Sequence, residues 1–275
     1  MADSNITSYN IPQGKSVYFF SDVHLGSPYH KSPVDLERQL VRWLRSIEED
    51  ACMVVMLGDI FDYWFEYKDV VPSGFTRFLG QIARMSDLGI EMHFFTGNHD
   101  IWSFGYLEQE LGVKLHKGSW ECLIGGKRFF MAHGDEYDYR SKGFRLIRSI
   151  FHNRVCQKLY AAIHPRWTVG LAHFWSNYSR KKGIEKKYGE NPDFVDEDDN
   201  YLIVWTKKYL SEIKGEKEKP DIFVFGHLHK LVDLMLPDRR RIVILGDWIK
   251  YNSYAKWDGN QISLELYEGE DRSVK

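Results

Sequence analysis

Short apolar runs that stop at small clusters of polar residues recur along this chain of 275 residues. Val17 to Phe20 is such a run, and it ends at Ser21-Asp22-Val23-His24. Ala51 to Leu57 ends at Gly58-Asp59, and Glu91 to Thr96 ends at Gly97-Asn98-His99-Asp100. These continuous runs predict buried strands. Between them the period changes. Leu36, Leu40, Leu44 and Ile47 lie at helical spacing behind Pro33 and Asp35, and Phe75, Phe78, Leu79 and Ile82 mark a second amphipathic helix. Strand–helix–strand–helix–strand order predicts parallel pairing with right-handed crossovers.

Further along, Trp120–Ile124 and Lys127–Ala132 flank Gly125-Gly126 and predict a hairpin whose second strand delivers His133-Gly134-Asp135. From about 140 to 214 the patterns are helical, with no strand evident. Strands return at Ile222–Phe225, Leu231–Leu236, Arg241–Leu245 and a last pair near Asn252–Trp257 and Gln261–Tyr267, the first of them ending at Gly226-His227-Leu228-His229. The expected fold is α/β of mixed type: two mixed sheets packed as a sandwich, flanked by helices, with a helical cap inserted at 140–214. Residues 1–16 read as a polar N-terminal tail, leaving 17–275 as one domain.

Composition narrows the class. A hydrophobic fraction of 43% supports a sizeable core, and a net charge of −2 gives no global basic field, so nucleic acid is not expected as a partner. Cys52, Cys122 and Cys156 show no metal-type spacing and read as free thiols, as in a reducing cytosol. The N-terminus lacks the apolar stretch of a signal peptide, and no run approaches the ~20 residues of a spanning helix.

Each polar cluster alone is weak, since Asp-x-His is frequent by chance and a lone His is often a hydrogen-bonded core residue. Five clusters, four of them directly after apolar strands, are a different matter. Together they place Asp22, His24, Asp59, Asn98, His133, His227 and His229 as candidate metal ligands. Gly precedes Asp59, Asn98 and His227, where the backbone must turn sharply at a crowded site. Mixed carboxylate, imidazole and amide donors suit Mn²⁺, Fe or Zn²⁺ rather than Ca²⁺. Two such ions, ~3.5–4 Å apart, need a bridging carboxylate, and Asp59 is the natural bridge.

The set Asp22-x-His24, Gly58-Asp59, Gly97-Asn98-His99-Asp100, His133 and Gly226-His227-x-His229 resembles the calcineurin-like metallophosphoesterases over residues 17–250. The resemblance implies that Asp22, His24, Asp59 and His229 hold one divalent ion, and that Asp59, Asn98, His133 and His227 hold the other, with manganese the expected metal. It implies catalytic roles for His99, at the scissile phosphate or leaving group, and for Asp100, which would orient His99. A structural role for His99 is the alternative.

Superfamily membership leaves the substrate open, and the insertion bears on it. Twelve Lys and Arg between 140 and 188 face only Glu185, interleaved with apolar and aromatic residues. Such a stretch suits an anionic membrane surface or an anionic amphiphile; ordinary helices with one solvated and one buried face are the alternative. The order His133-Gly134-Asp135, helical cap, Ser176 to Lys182, then Gly-His-x-His is similar to the UDP-2,3-diacylglucosamine diphosphatases of lipid A synthesis. That resemblance implies hydrolysis of a diacylated UDP-sugar to UMP and the diacylglucosamine 1-phosphate by a two-metal-activated water. It also implies acyl chains under the cap, substrate contacts from Arg180, Lys181 and Lys182, and a cytoplasmic enzyme peripheral to the inner membrane. The chain departs from that family at His99, where members carry Arg, and at Leu245-Gly246-Asp247-Trp248. The other readings are a different dinuclear phosphodiesterase or phosphomonoesterase, or a non-catalytic scaffold. Trp64, Phe65 and Tyr67 form either a rim of the cleft or part of the core.

Overall fold

The apolar runs become strands in a computed structural model that describes residues 6–27, 32–138, 142–164, 197 and 200–269. β2 (Ser16–Phe20), β3 (Ala51–Met56), β4 (Glu91–Phe95) and β5 (Lys114–His116) pair in parallel, in that order. β11 (Ser253–Trp257) lies antiparallel to β2 and carries β12 (Ile262–Leu266) outside it. The first sheet therefore runs β12-β11-β2-β3-β4-β5. α1 (Pro33–Ser46), α2 (Thr76–Asp87) and α3 (Tyr106–Leu111) cross over between its parallel strands. Ser32 caps α1 by accepting from the Asp35 backbone N–H, with Pro33 in the first turn, where its missing N–H costs nothing.

The second sheet has the order β1-β6-β7-β8-β10-β9, with β1 (Ser8–Tyr9) at its edge. Its centre is β7 (Lys127–Ala132) beside β8 (Ile222–Phe225) and β10 (Arg241–Leu245), all parallel, with β6 (Trp120–Ile124) and β9 (Leu231–Met235) antiparallel at the flanks. The two sheets face each other across Phe19, Val55, Phe129, Val224 and Val243, all fully buried. Outside the first sheet, Leu40, Trp43 and Leu44 of α1 and Phe78 and Ile82 of α2 bury against Phe20, Val54 and Phe94. Because β2, β3, β4, β7 and β8 all point the same way at their C-terminal ends, five ligand-bearing loops leave the sandwich on one side.

Two boundaries differ from the sequence reading. Ser8–Tyr9 is not tail but an edge strand, β1, parallel to β6, with the Leu123 N–H donating to Thr7 O at 2.9 Å and the Gly125 N–H to Tyr9 O at 2.9 Å. A two-residue strand has no periodicity to read; its pairing is set by the neighbouring edge. The cap also ends earlier than residue 214. α6 (Tyr201–Glu212) buries Tyr201, Leu202 and Ile203 against Phe130 and Phe225 of the second sheet, so it belongs to the sandwich. α4 (Lys142–His152) and α5 (Arg154–Ala161) are the described cap helices. Leu146, Ile150, Val155 and Leu159 are exposed on them. α3 and β5 lie in a stretch the apolar pattern left unassigned, because both are short and only half buried.

Candidate metal centre

The loop after β2 carries Asp22 and His24, and the loop after β3 carries Asp59. They are stitched together by main-chain bonds: the Asp22 N–H donates to Gly58 O at 3.1 Å and the His24 N–H to Asp59 O at 3.0 Å. The backbone is strained here. Asp22, His24, Asp59, His227 and His229 all have φ between 50° and 68°, in the left-handed region. Each such non-glycine residue costs of order 1–3 kcal/mol, a cost that clusters where function needs a fixed geometry. Close approach explains two glycines. A Cβ on Gly97 would collide with the Asp59 carboxylate, and one on Gly226 would stand 2.7 Å from Asp22 Oδ2.

Seven candidate ligands converge. Asp22, His24 and His229 form one group of potential donor atoms, and Asp59, His133 and His227 form another. Asp59 also groups with His24 and His99, so its carboxylate lies between the two sets. Asp59 Oδ2 is 3.8 Å from His24 Nε2 on one side and 3.4 Å from His133 Nε2 on the other. Asn98 Oδ1 is 3.4 Å from His133 Nε2, which places the amide in the second set.

The donor set fits divalent cations on three observations. Asp22 is fully buried; its Oδ2 accepts from Ser21 Oγ at 2.5 Å and from the His227 N–H at 2.9 Å, while Oδ1 has no hydrogen-bond partner. That orphaned oxygen sits 3.5 Å from His229 Nε2. A buried carboxylate oxygen left without a donor is costly unless a cation meets it. Second, imidazole nitrogens face each other: His24 Nε2 and His229 Nε2 at 3.3 Å, His133 Nε2 and His227 Nδ1 at 3.2 Å. Third, the opposite ring nitrogens are held as donors. His133 Nδ1 lies 2.8 Å from Leu57 O, an acceptor only, so Nδ1 carries a proton and Nε2 is the nitrogen turned to the site. His229 Nδ1 donates in the same way to Asp247 Oδ2 at 3.1 Å. Carboxylates and carbonyls behind imidazoles are the usual supports of metal-binding histidines.

Electrostatics agree with the geometry. Burial pushes the Asp59 carboxyl up, but the imidazoles of His133, His99 and His24 outweigh it and leave Asp59 well below the usual range. Burial pushes His133 down, yet the charge of Asp59 more than reverses this. Asp100 is pushed up to about 7 by burial and by the neighbouring charge of Asp59.

The role expected for Asp100 does not match its contacts. Its carboxylate accepts backbone N–H groups from Gly97 at 2.7 Å and Ile60 at 2.8 Å, with Asp59 and Phe61 at 3.3 Å. It braces the Asp59 loop against the Asn98 loop. His99 is oriented instead by Asp62, whose backbone carbonyl accepts from His99 Nδ1 at 2.9 Å. The Asp62 carboxylate stands 3.4 Å from His24 Nδ1. Asp62 and Asp247 were missed as supports. Asp247 had a signal, since it follows an apolar run and a glycine like the ligands themselves. Asp62 had only its place three residues after Asp59.

Trp64 belongs to the core, fully buried and stacked on Phe61 with ring centres 4.3 Å apart. Phe65 is also buried, 4.9 Å from the ring of Tyr160 on α5. Phe65 and Tyr67 line a cavity of about 460 Å³ between α5 and the end of β4, together with Ile101, Phe104, Lys68, Lys117 and Lys158. Arg180, Lys181 and Lys182 lie outside the described residues. Among the described residues no helix is long and apolar enough to cross a membrane.

Comparison with known proteins places this geometry. A UDP-2,3-diacylglucosamine hydrolase of Porphyromonas gingivalis is 46% identical over 260 residues, covering 92% of this chain and 97% of the relative. Proteins of the same description from Neisseria meningitidis serogroup C and Haemophilus influenzae strain Rd are 27% and 24% identical over 88% and 89% of the chain, and over 92% and 95% of their own lengths. Among solved structures, a dimetal phosphatase from Danio rerio aligns over 93% of this chain and 96% of its own, with 17% identity and a TM-score of 0.43. The family model described as calcineurin-like phosphoesterase matches residues 15–231, and this chain belongs to that family.

Proposed function

We propose that this protein hydrolyses the pyrophosphate of UDP-2,3-diacylglucosamine, releasing UMP and 2,3-diacylglucosamine 1-phosphate for lipid A synthesis. The observation that carries the reading is the near full-length similarity, at 46% identity, to the Porphyromonas gingivalis hydrolase of that substrate. The converging donor set supplies the chemistry that the reaction needs.

Asp22, His24, Asp59 and His229 would hold one divalent ion, and Asp59, Asn98, His133 and His227 a second; the donor set suits Mn²⁺, Fe or Zn²⁺, and manganese is the proposed metal on the family resemblance. Such ions polarise phosphoryl oxygens and make water a nucleophile near neutral pH. The chain's own residues do the rest. Asp22 and Asp59 bring negative charge to a buried site. His99 donates Nδ1–H to Asp62 O, which leaves Nε2 to meet the scissile phosphate or the departing sugar phosphate. The leaving group is a phosphate monoester, so it needs charge stabilisation more than a proton.

The cap would seat the lipid. The cavity beside α5 combines aromatic side chains with lysines, a match for acyl chains joined to an anionic headgroup. Arg180, Lys181 and Lys182 are the proposed substrate contacts on the remainder of the insertion. Exposed Leu146, Ile150, Val155 and Leu159 beside Arg154 and Lys158 suit docking on an anionic bilayer, at the cytoplasmic face of the inner membrane.

A direct test compares UDP-2,3-diacylglucosamine with bis-p-nitrophenyl phosphate in the presence of Mn²⁺. Rapid release of UMP from the lipid is the expected result. Fast cleavage of the small diester with an untouched lipid would refute the substrate assignment. Cleavage of neither would refute phosphoesterase activity.

A further inference from the structure

The cap helices touch the ligand loops through specific side chains, and one of those contacts lies two residues from a candidate metal ligand. Arg148 of α4 donates Nε–H to Asp135 Oδ2 at 2.7 Å and approaches Glu136 Oε2 at 3.7 Å. Asp135 is buried and follows His133-Gly134 directly. It opens the single 3-10 turn Asp135–Tyr137, whose preceding Gly134 has φ of 113°. From the other side, Tyr201 of α6 donates its hydroxyl to Gly134 O at 3.2 Å. The segment leaving His133 is therefore held between the sandwich and the cap.

Two further links run parallel to this one. The indole N–H of Trp102 donates to Phe151 O on α4 at 3.1 Å, two residues beyond Asp100. Tyr160 of α5 meets Tyr63 with hydroxyls 3.2 Å apart, next to Asp62. Each link joins the cap to a different ligand loop. Only the Arg148 link is an ion pair to a buried carboxylate, and losing one partner of such a pair leaves an uncompensated charge inside the protein.

We propose that the Arg148–Asp135 pair is a latch through which the seating of α4 fixes the His133 loop, making Arg148 a positioning residue of the active site rather than a substrate contact. The idea rests on the phosphoesterase reading of the site. It predicts an effect on a substrate too small to need the cap.

The test is a double-mutant cycle on bis-p-nitrophenyl phosphate turnover with R148M, D135N and the double variant, plus R148K. Under the proposal R148M and D135N each lower kcat about tenfold, and the double variant is no worse than the poorer single, as for residues acting through one contact. R148K recovers part of the loss by restoring charge without the guanidinium fork. Additive losses would overturn the latch, as would an R148M variant that keeps its diester kcat and loses only KM for UDP-2,3-diacylglucosamine. Hydrogen exchange on the metal-free protein supplies a readout independent of turnover. R148M should speed exchange in both Lys142–His152 and the Asp135–Tyr137 turn; a turn with unchanged protection refutes the latch. If the wild-type protein cleaves no phosphoester, the functional reading fails, and the exchange experiment still decides the latch.

Discussion

The Asp62 carboxylate stands 3.4 Å from His24 Nδ1, while the backbone carbonyl of the same residue accepts from His99 Nδ1. One residue thus supports a candidate metal ligand with its side chain and a candidate catalytic histidine with its main chain. Replacing Asp62 by Asn keeps the carbonyl and removes the charge behind His24. D62N is expected to weaken Mn²⁺ binding and turnover by about 10–100-fold, the usual cost of losing such a support. Metal titration of the purified variant checks it; an affinity within twofold of wild type would show that the carboxylate is idle.

Gly97 offers a test of packing at the centre itself. A Cβ there would overlap the Asp59 carboxylate, and the Asp59 backbone nitrogen blocks relief on the same side at 2.5 Å. G97A is expected to lower diester turnover at least 100-fold while circular dichroism shows the sheets intact, because the two loops must part to admit one methyl. Near-normal turnover would mean the loops adjust at little cost.

Away from the site, burial drives His93 down to about 3 and His116 down to about 4, and their rings meet with Nδ1 and Nε2 2.9 Å apart. Both fold neutral. The unfolded chain takes up protons near its ordinary histidine value of about 6.5, so it binds more protons than the native state below that pH. Stability from this pair is fully present above about pH 6.5 and is lost as pH falls toward 4 for His116 and 3 for His93. Urea denaturation at pH 7.5, 6 and 5 should show that decline. H93F, which keeps the ring stack on Trp120 and removes one titrating group, should flatten it.

The exposed apolar residues of α4 and α5 lead to a membrane experiment. Flotation with vesicles rich in anionic lipid should carry the wild-type protein upward at low salt. An L146E/L159E variant should stay at the bottom, with turnover of bis-p-nitrophenyl phosphate unchanged. Wild-type protein that fails to float refutes bilayer docking by these helices.

Much of this protein was legible in the chain itself. Strands β2, β3 and β8 are nearly continuous apolar runs, and β4 and β7 end in apolar stretches, because strands buried on both faces need no alternation. Asp and Asn are ordinary turn residues one at a time, so the residues after these strands stand out by the repetition of Asp, Asn and His across five such turns. Hence the family could be read, and a candidate ligand set proposed, without coordinates. The supports of that set could not. Asp100 adjoins His99 in sequence and Asp62 lies 37 residues before it, yet the folded path of the chain makes Asp100 bond main-chain N–H groups while Asp62 serves the histidines. Nor could spacing reveal β1, whose two residues pair because β6 presents an open edge, or the placement of α6 on the sandwich instead of the cap. Local patterning determines which residues are buried and which are chemically equipped. Which carboxylate stands behind which imidazole depends on contacts between segments distant in sequence, such as His229 with Asp22, and these exist only once the two sheets have packed.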